Sequence, residues 1–246
     1  MKLNTCFKIF TLLLTLSFGL IGCGSSSDDV VATGPTTFTV RIANIGADAI
    51  PTSLGTNVPA VFAPGAASVN TASTAAFFND GTAATPGLEI MAEDGGGMLL
   101  AAEGSAVEGV ISTVAFGVPE GAAEPGPLTP GNSYVFQVVA EPGDYLNFAT
   151  MFVQSNDLFI APQPTGIPLF NSNGTPRSED ITSEVVFWDA GTEVNEEPGI
   201  GPNQAPRQAG PNTGAEENGV VRLLNDGDFP LPPLASTVTI TLTPSS

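Results

Sequence analysis

Thr37-Phe38-Thr39-Val40-Arg41-Ile42-Ala43-Asn44-Ile45 alternates with a period of two. Phe38, Val40 and Ile42 point one way, and Thr37, Thr39 and Arg41 the other. That period belongs to a half-buried strand, because successive side chains of an extended backbone leave on opposite faces. Similar short apolar or alternating runs occur at 58–63, 87–92, 106–118, 133–140, 145–154, 157–161, 184–188, 219–224 and 236–243, with Gly, Pro, Asn or Asp in every gap. No segment carries a sustained helical stripe with caps, and 22 Pro forbid most amphipathic windows of helical length. The Ala-rich segment from Ala66 to Phe78 is the best helical candidate. Nine or ten short strands at this spacing predict an all-β chain folded as an antiparallel β-sandwich in a single domain. The Pro/Gly/Asn-rich segments 162–180 and 195–218 are expected to be loops gathered at one end of it, where loops commonly carry function.

Composition closes several functions. The chain of 246 residues carries 25 Asp+Glu against 6 Lys+Arg, a formal net charge of -19, and it has no His. So acidic a surface repels polyanions, which argues against a nucleic-acid partner. Without His there is no Ser-His or Cys-His catalytic pair and no His-ligated metal.

The first residues read as a targeting signal. Lys2 and Lys8 precede an apolar run from Ile9 to Ile21, too short for a stable span, which takes roughly 20 residues. Leu20-Ile21-Gly22-Cys23 follows, then Gly24-Ser25-Ser26-Ser27. This resembles the bacterial lipoprotein signal, in which the cysteine is acylated and becomes the new N-terminus. Residues 1–22 are therefore expected to be cleaved, Cys23 to be lipidated, residues 23–35 to form a tether, and residues 36–246 to be the sandwich. The partner at this end is the membrane, reached through the lipid. Gly24 stands where Asp would resemble an inner-membrane retention signal, so the expected location is the outer membrane of the envelope. Cleavage removes Cys6 and both Lys, leaving four Arg (Arg41, Arg177, Arg207 and Arg222), no Lys, no thiol and no disulfide.

What chemistry remains is carboxylate chemistry. Three clusters stand out: Glu93-Asp94-Gly95-Gly96-Gly97, Ser155-Asn156-Asp157 and Asp189-Ala190-Gly191-Thr192-Glu193. The last two each place an acid just past an apolar strand. If both strand ends open on one edge, Asp157 and Asp189 converge, and a hard cation such as Ca²⁺ would relieve their repulsion. The alternative is that these acids cap turns. A glycosidase built on two of Glu93, Asp157 and Glu193 is the enzyme reading. It lacks aromatic platforms, since the chain has one Trp and two Tyr.

At these residues the chain resembles the spondin N-terminal domain family, found in animal matrix proteins and bacterial lipoproteins. Phe38–Asn44 is similar to its opening strand, and Gly87-Leu88-Glu89-Ile90-Met91-Ala92-Glu93-Asp94-Gly95 to the middle motif of bacterial members. The stretch from Leu146 to Ile160 matches the strand ending in S-x-D-x-F, and Trp188-Asp189-Ala190-Gly191-Thr192-Glu193 the D-A-G-T-[DE] motif. The resemblance covers roughly 36 to 225. It implies a sandwich similar to C2 domains and, from the animal members, a bound calcium with Asp157 and Asp189 among its ligands. The family's third acid lies on the preceding strand. Here Tyr134-Val135-Phe136-Gln137-Val138 offers only the Gln137 carbonyl, with Glu193 to compensate. The expected role is a lipid-anchored binding or adhesion module that is not an enzyme and that takes a protein or glycan ligand. A glycan hydrolase or a purely structural envelope protein are the alternatives.

Overall fold

The computed structural model describes residues 34–224, 229 and 231–245. The opening alternation forms a strand, β1 (Thr36–Asn44), with Phe38, Val40 and Ile42 fully buried. The chain continues through β2 (Ile50–Pro51), β3 (Asn57–Val58), β4 (Phe62–Thr71), α1 (Pro86–Asp94), α2 (Gly97–Gly104), β5 (Val110–Phe116), β6 (Ser133–Ala140) and β7 (Asp144–Phe152). Then follow β8 (Leu158–Ala161), β9 (Ile167–Pro168), β10 (Glu179–Asp180), β11 (Val186–Asp189), β12 (Arg222–Leu223) and β13 (Val238–Ser245).

Two antiparallel sheets pack face to face. The smaller has the order β10-β13-β1-β6, and the larger β12-β11-β8-β7-β4-β5, with β9 attached to β7. Between them lies a core of Phe38, Phe62, Tyr134, Phe148, Phe152 and Ile240 with their neighbours. A second core covers the outer face of the larger sheet. There Leu88, Met91 and Leu100 of the two helices, with Phe78, pack on Met151, Phe159 and Trp188. The Phe78 and Trp188 rings meet at 4.8 Å between centroids. Strands β4, β7 and β8 are thus buried on both faces. That is why Phe148–Val153 and Leu158–Ala161 read as nearly continuous apolar runs instead of alternating.

Two local expectations are overturned. Ala66 to Phe78 is not a helix: Ala66–Thr71 continues β4, and only turns follow. Its small residues serve close approach, because α2 sits directly on β4. Conversely 87–92 is helical. The Thr85 hydroxyl accepts from the Leu88 N–H at 3.3 Å, Pro86 opens the helix, and Gly95 ends it at φ 79°. These are ordinary start and stop signals. They were masked by an apolar run of strand-like length.

The approach of α2 is close enough to be tested. A Cβ built on Gly97 falls 1.9 Å from the Gly65 carbonyl oxygen, whereas one on Gly96 meets nothing nearer than Ile90 Cγ2 at 3.5 Å. Gly97→Ala is expected to cost at least about 2 kcal/mol in urea unfolding, and Gly96→Ala well under half of that. Equal costs would contradict the helix-on-sheet contact.

Candidate functional site

Strands β8 and β11 pair antiparallel, with Leu158 opposite Asp189. Asp157 lies one residue beyond, and its carbonyl accepts from the Ala190 N–H at 3.2 Å. The Ser155–Asp157 and Asp189–Glu193 segments therefore run side by side past one sheet end. Both aspartates are fully buried.

Each acid is held differently. Asp157 Oδ2 accepts from the Thr192 N–H at 2.8 Å, the Thr192 hydroxyl at 3.2 Å and the Glu193 N–H at 3.1 Å. Its other oxygen, Oδ1, is buried and has no hydrogen-bond partner among the described residues. Burial first, and then the charge of Asp189, push its pKa up to about 7 against those donors. Asp189 is saturated. Oδ1 accepts from the Gly191 N–H at 2.7 Å in a tight Asx turn, and Gly191 adopts φ 69° where a Cβ would strike the Val220 backbone. Oδ2 accepts from Asn195 Nδ2 at 2.6 Å and forms an ion pair with Arg222 Nη2 at 2.7 Å. Arg222 stands directly across from Asp189 in the β11–β12 ladder and also reaches Glu217 at 3.3 Å.

Two further carboxylates complete the cluster. Glu193 is buried, accepting from Asn156 Nδ2 at 3.1 Å and from the Gly214 N–H at 2.8 Å. Glu93, at the end of α1, is also buried, and burial pushes its pKa up to about 7. The Thr192 hydroxyl pulls it back, while the charges of Glu193, Glu89 and Asp157 add to the rise. Glu93 lines a polar recess of about 270 Å³ with Glu89, Thr192 and Glu216.

Gln137 is not part of this arrangement. It lies on β6 in the smaller sheet, with an exposed side chain whose amide touches Thr39 Oγ1 at 3.5 Å. The expectation followed chain order, but β6 pairs with β1 while β7 and β8 join the other sheet. The long loops are also not gathered at one end. The Gly199 N–H donates to the Gln154 carbonyl beyond the end of β7, whereas Ile167 pairs with Leu146 near its start.

The residues present do not fit a calcium ion. Calcium takes about 6–8 oxygens. Here three of the four oxygens of Asp157 and Asp189 already accept from N–H or hydroxyl donors, and the Arg222 guanidinium already neutralises Asp189 at Oδ2. Among the described residues, no group of three or more Asp, Glu, Cys or His is placed to hold a metal.

Sequence reasoning passed over Arg222, Asn195 and Gln204. Arg222 carried a signal: a cation inside the apolar run 219–224 of a chain with so few. Gln204 is fully buried in the long loop, accepting from the Gly199 N–H at 3.0 Å and donating to the Glu197 carbonyl at 2.8 Å. Asn156 joins the loop to the knot by accepting from the Glu196 N–H at 3.0 Å. No protein-family model matches this chain, and no curated protein matches it.

Proposed function

We propose that this protein is a lipid-anchored binding module of a bacterial envelope, not an enzyme, and that it presents a preformed surface without needing calcium. One observation carries the reading. The knot of Asp157, Asp189, Glu193 and Arg222, continued by Asn156, Gln204 and Glu196, ties the 190–208 segment onto the sandwich end through buried hydrogen bonds. A loop ordered in advance loses little entropy when it meets a ligand, which favours recognition. Two of the spondin-like stretches, Leu146–Ile160 and Trp188–Glu193, supply Asn156, Asp157, Asp189 and Glu193 to this knot and support the same reading.

Hydrolysis is disfavoured by access. Asp157, Asp189 and Glu193 are buried away from any glycan, and the recess beside Glu93 has no aromatic lining. The anchoring residue, Cys23, lies outside the described residues, so anchoring rests on the signal alone.

The test is metabolic labelling with an alkyne-bearing palmitate in an expressing bacterium. Wild type is expected to take up label and stay with membranes, and Cys23→Ser to lose both. Label on Cys23→Ser would overturn the anchor. Release of reducing sugar from envelope glycan by wild type, lost in Glu93→Gln, would favour the hydrolase.

A further inference from the structure

A groove of about 510 Å³ opens beside the end of β7, within the usual size range of small-molecule sites. Its floor is the apolar pair Met151 and Val153. One wall is Pro125-Gly126-Pro127, and the other is Ala205-Pro206 from the long loop.

Both walls are fixed before any ligand arrives. The Gly126 N–H donates to the Gly117 carbonyl at 2.9 Å, and the Gly126 carbonyl accepts from the Tyr134 hydroxyl at 2.5 Å. Ala205-Pro206 sits between buried Gln204 and Arg207, whose Nε donates to the Gly201 carbonyl at 2.8 Å. Gln208 Nε2 then ties this wall to Asp94 Oδ1 at 3.0 Å.

Charge selects the occupant. Among the described residues, Asp94 is the only ionisable side chain lining the groove. It stands in the last turn of α1, where the helix dipole also presents negative potential. Arg207, which follows Pro206, lies outside the lining and is turned toward Gln154 and Gln204. An anionic amphiphile would meet a carboxylate, a helix C-terminus and a chain of net charge -19.

We propose that this groove binds a small apolar molecule, neutral or cationic, whose N–H group donates to Asp94. The inference rests on the reading of the protein as a binding module and names its ligand class.

N-phenyl-1-naphthylamine and its sulfonated relative 8-anilino-1-naphthalenesulfonate differ chiefly by one negative charge. They can be compared on the full chain in neutral detergent. Trp188 is the single Trp, so emission sensitised by exciting it reports dye on the protein and not dye in micelles. The expected result is saturable sensitised emission from the neutral dye, with at least tenfold weaker binding of the sulfonate. Asp94→Asn should narrow that gap. Ala205→Phe and Val61→Phe, which add bulk at two separate lining positions, should each weaken the neutral dye at least tenfold with an unchanged melting curve. Three results overturn the proposal: no saturable emission from wild type, equal affinity for the two dyes, or full binding by both filled variants. Palmitate labelling reads the anchor separately, so the groove can fail while the anchored module stands.

Discussion

Asp189→Asn should lower the stability of the domain by about 3 kcal/mol, a fall of roughly 6–12 °C in melting temperature for a domain of this size. The carboxylate is fully buried and uses both oxygens, on the Gly191 N–H, the Asn195 amide and Arg222. An amide keeps one acceptor. It replaces the other with an NH₂ that faces two donors, and it takes the Asp189 charge away from a half-buried guanidinium. Arg222→Met should cost a similar amount from the other side, by leaving a buried charge unpaired. The double variant should lose less than the sum, because the second change removes what the first left unpaired. Asp157→Asn should behave differently, costing under about 1 kcal/mol near pH 8. One oxygen of Asp157 has no partner, so an amide can keep its oxygen toward Thr192 and Glu193 while shedding a charge that burial disfavours. Urea unfolding of the four variants checks this. Equal losses for the two Asp→Asn changes would contradict the assignment of different roles.

The melting temperature should rise as the pH falls from 8 to 5. Asp157 and Glu93 have folded-state pKa values of about 7, above their ordinary values of 3.8 and 4.5. Between those limits the folded protein binds more protons than the unfolded chain. A group shifted upward contributes stability that is complete below its ordinary value and is lost as pH rises through the folded value. For Asp157 the shift corresponds to an upper limit on the order of 4 kcal/mol. Because Asp157 adds to the rise at Glu93, the two effects are not summed. Calorimetry across this range should show the slope in wild type and a much flatter line in Asp157→Asn/Glu93→Gln. A wild-type melting temperature that climbs from pH 5 to pH 8 would contradict the burial of these acids in an uncompensated state.

How much of this was legible follows from which neighbours the pattern can reveal. β1 and β6 lie in the smaller sheet with one face toward the core, so their period of two was plain. The larger sheet is covered on both faces, and its apolar runs did not announce the helical layer that covers it. The signals for α1, Thr85-Pro86 and Gly95, were present but weaker than the run between them. The meeting of Asp157 and Asp189 was legible because each ends an apolar strand. Gln137 was misplaced because sequence order does not tell which sheet a strand joins. Arg222 was missed because it approaches Asp189 across a ladder closed by 32 intervening residues, a pairing that local pattern does not encode.

Arg222, and not a divalent cation, closes the carboxylate knot. The most direct measurement is the melting temperature of wild type and Arg222→Met, each in EDTA and in millimolar calcium at constant ionic strength. Calcium is expected to leave wild type within about 1 °C of its EDTA value, while Arg222→Met melts well below it in both buffers. A wild type that gains several degrees in calcium, with Arg222→Met gaining no less, would contradict it.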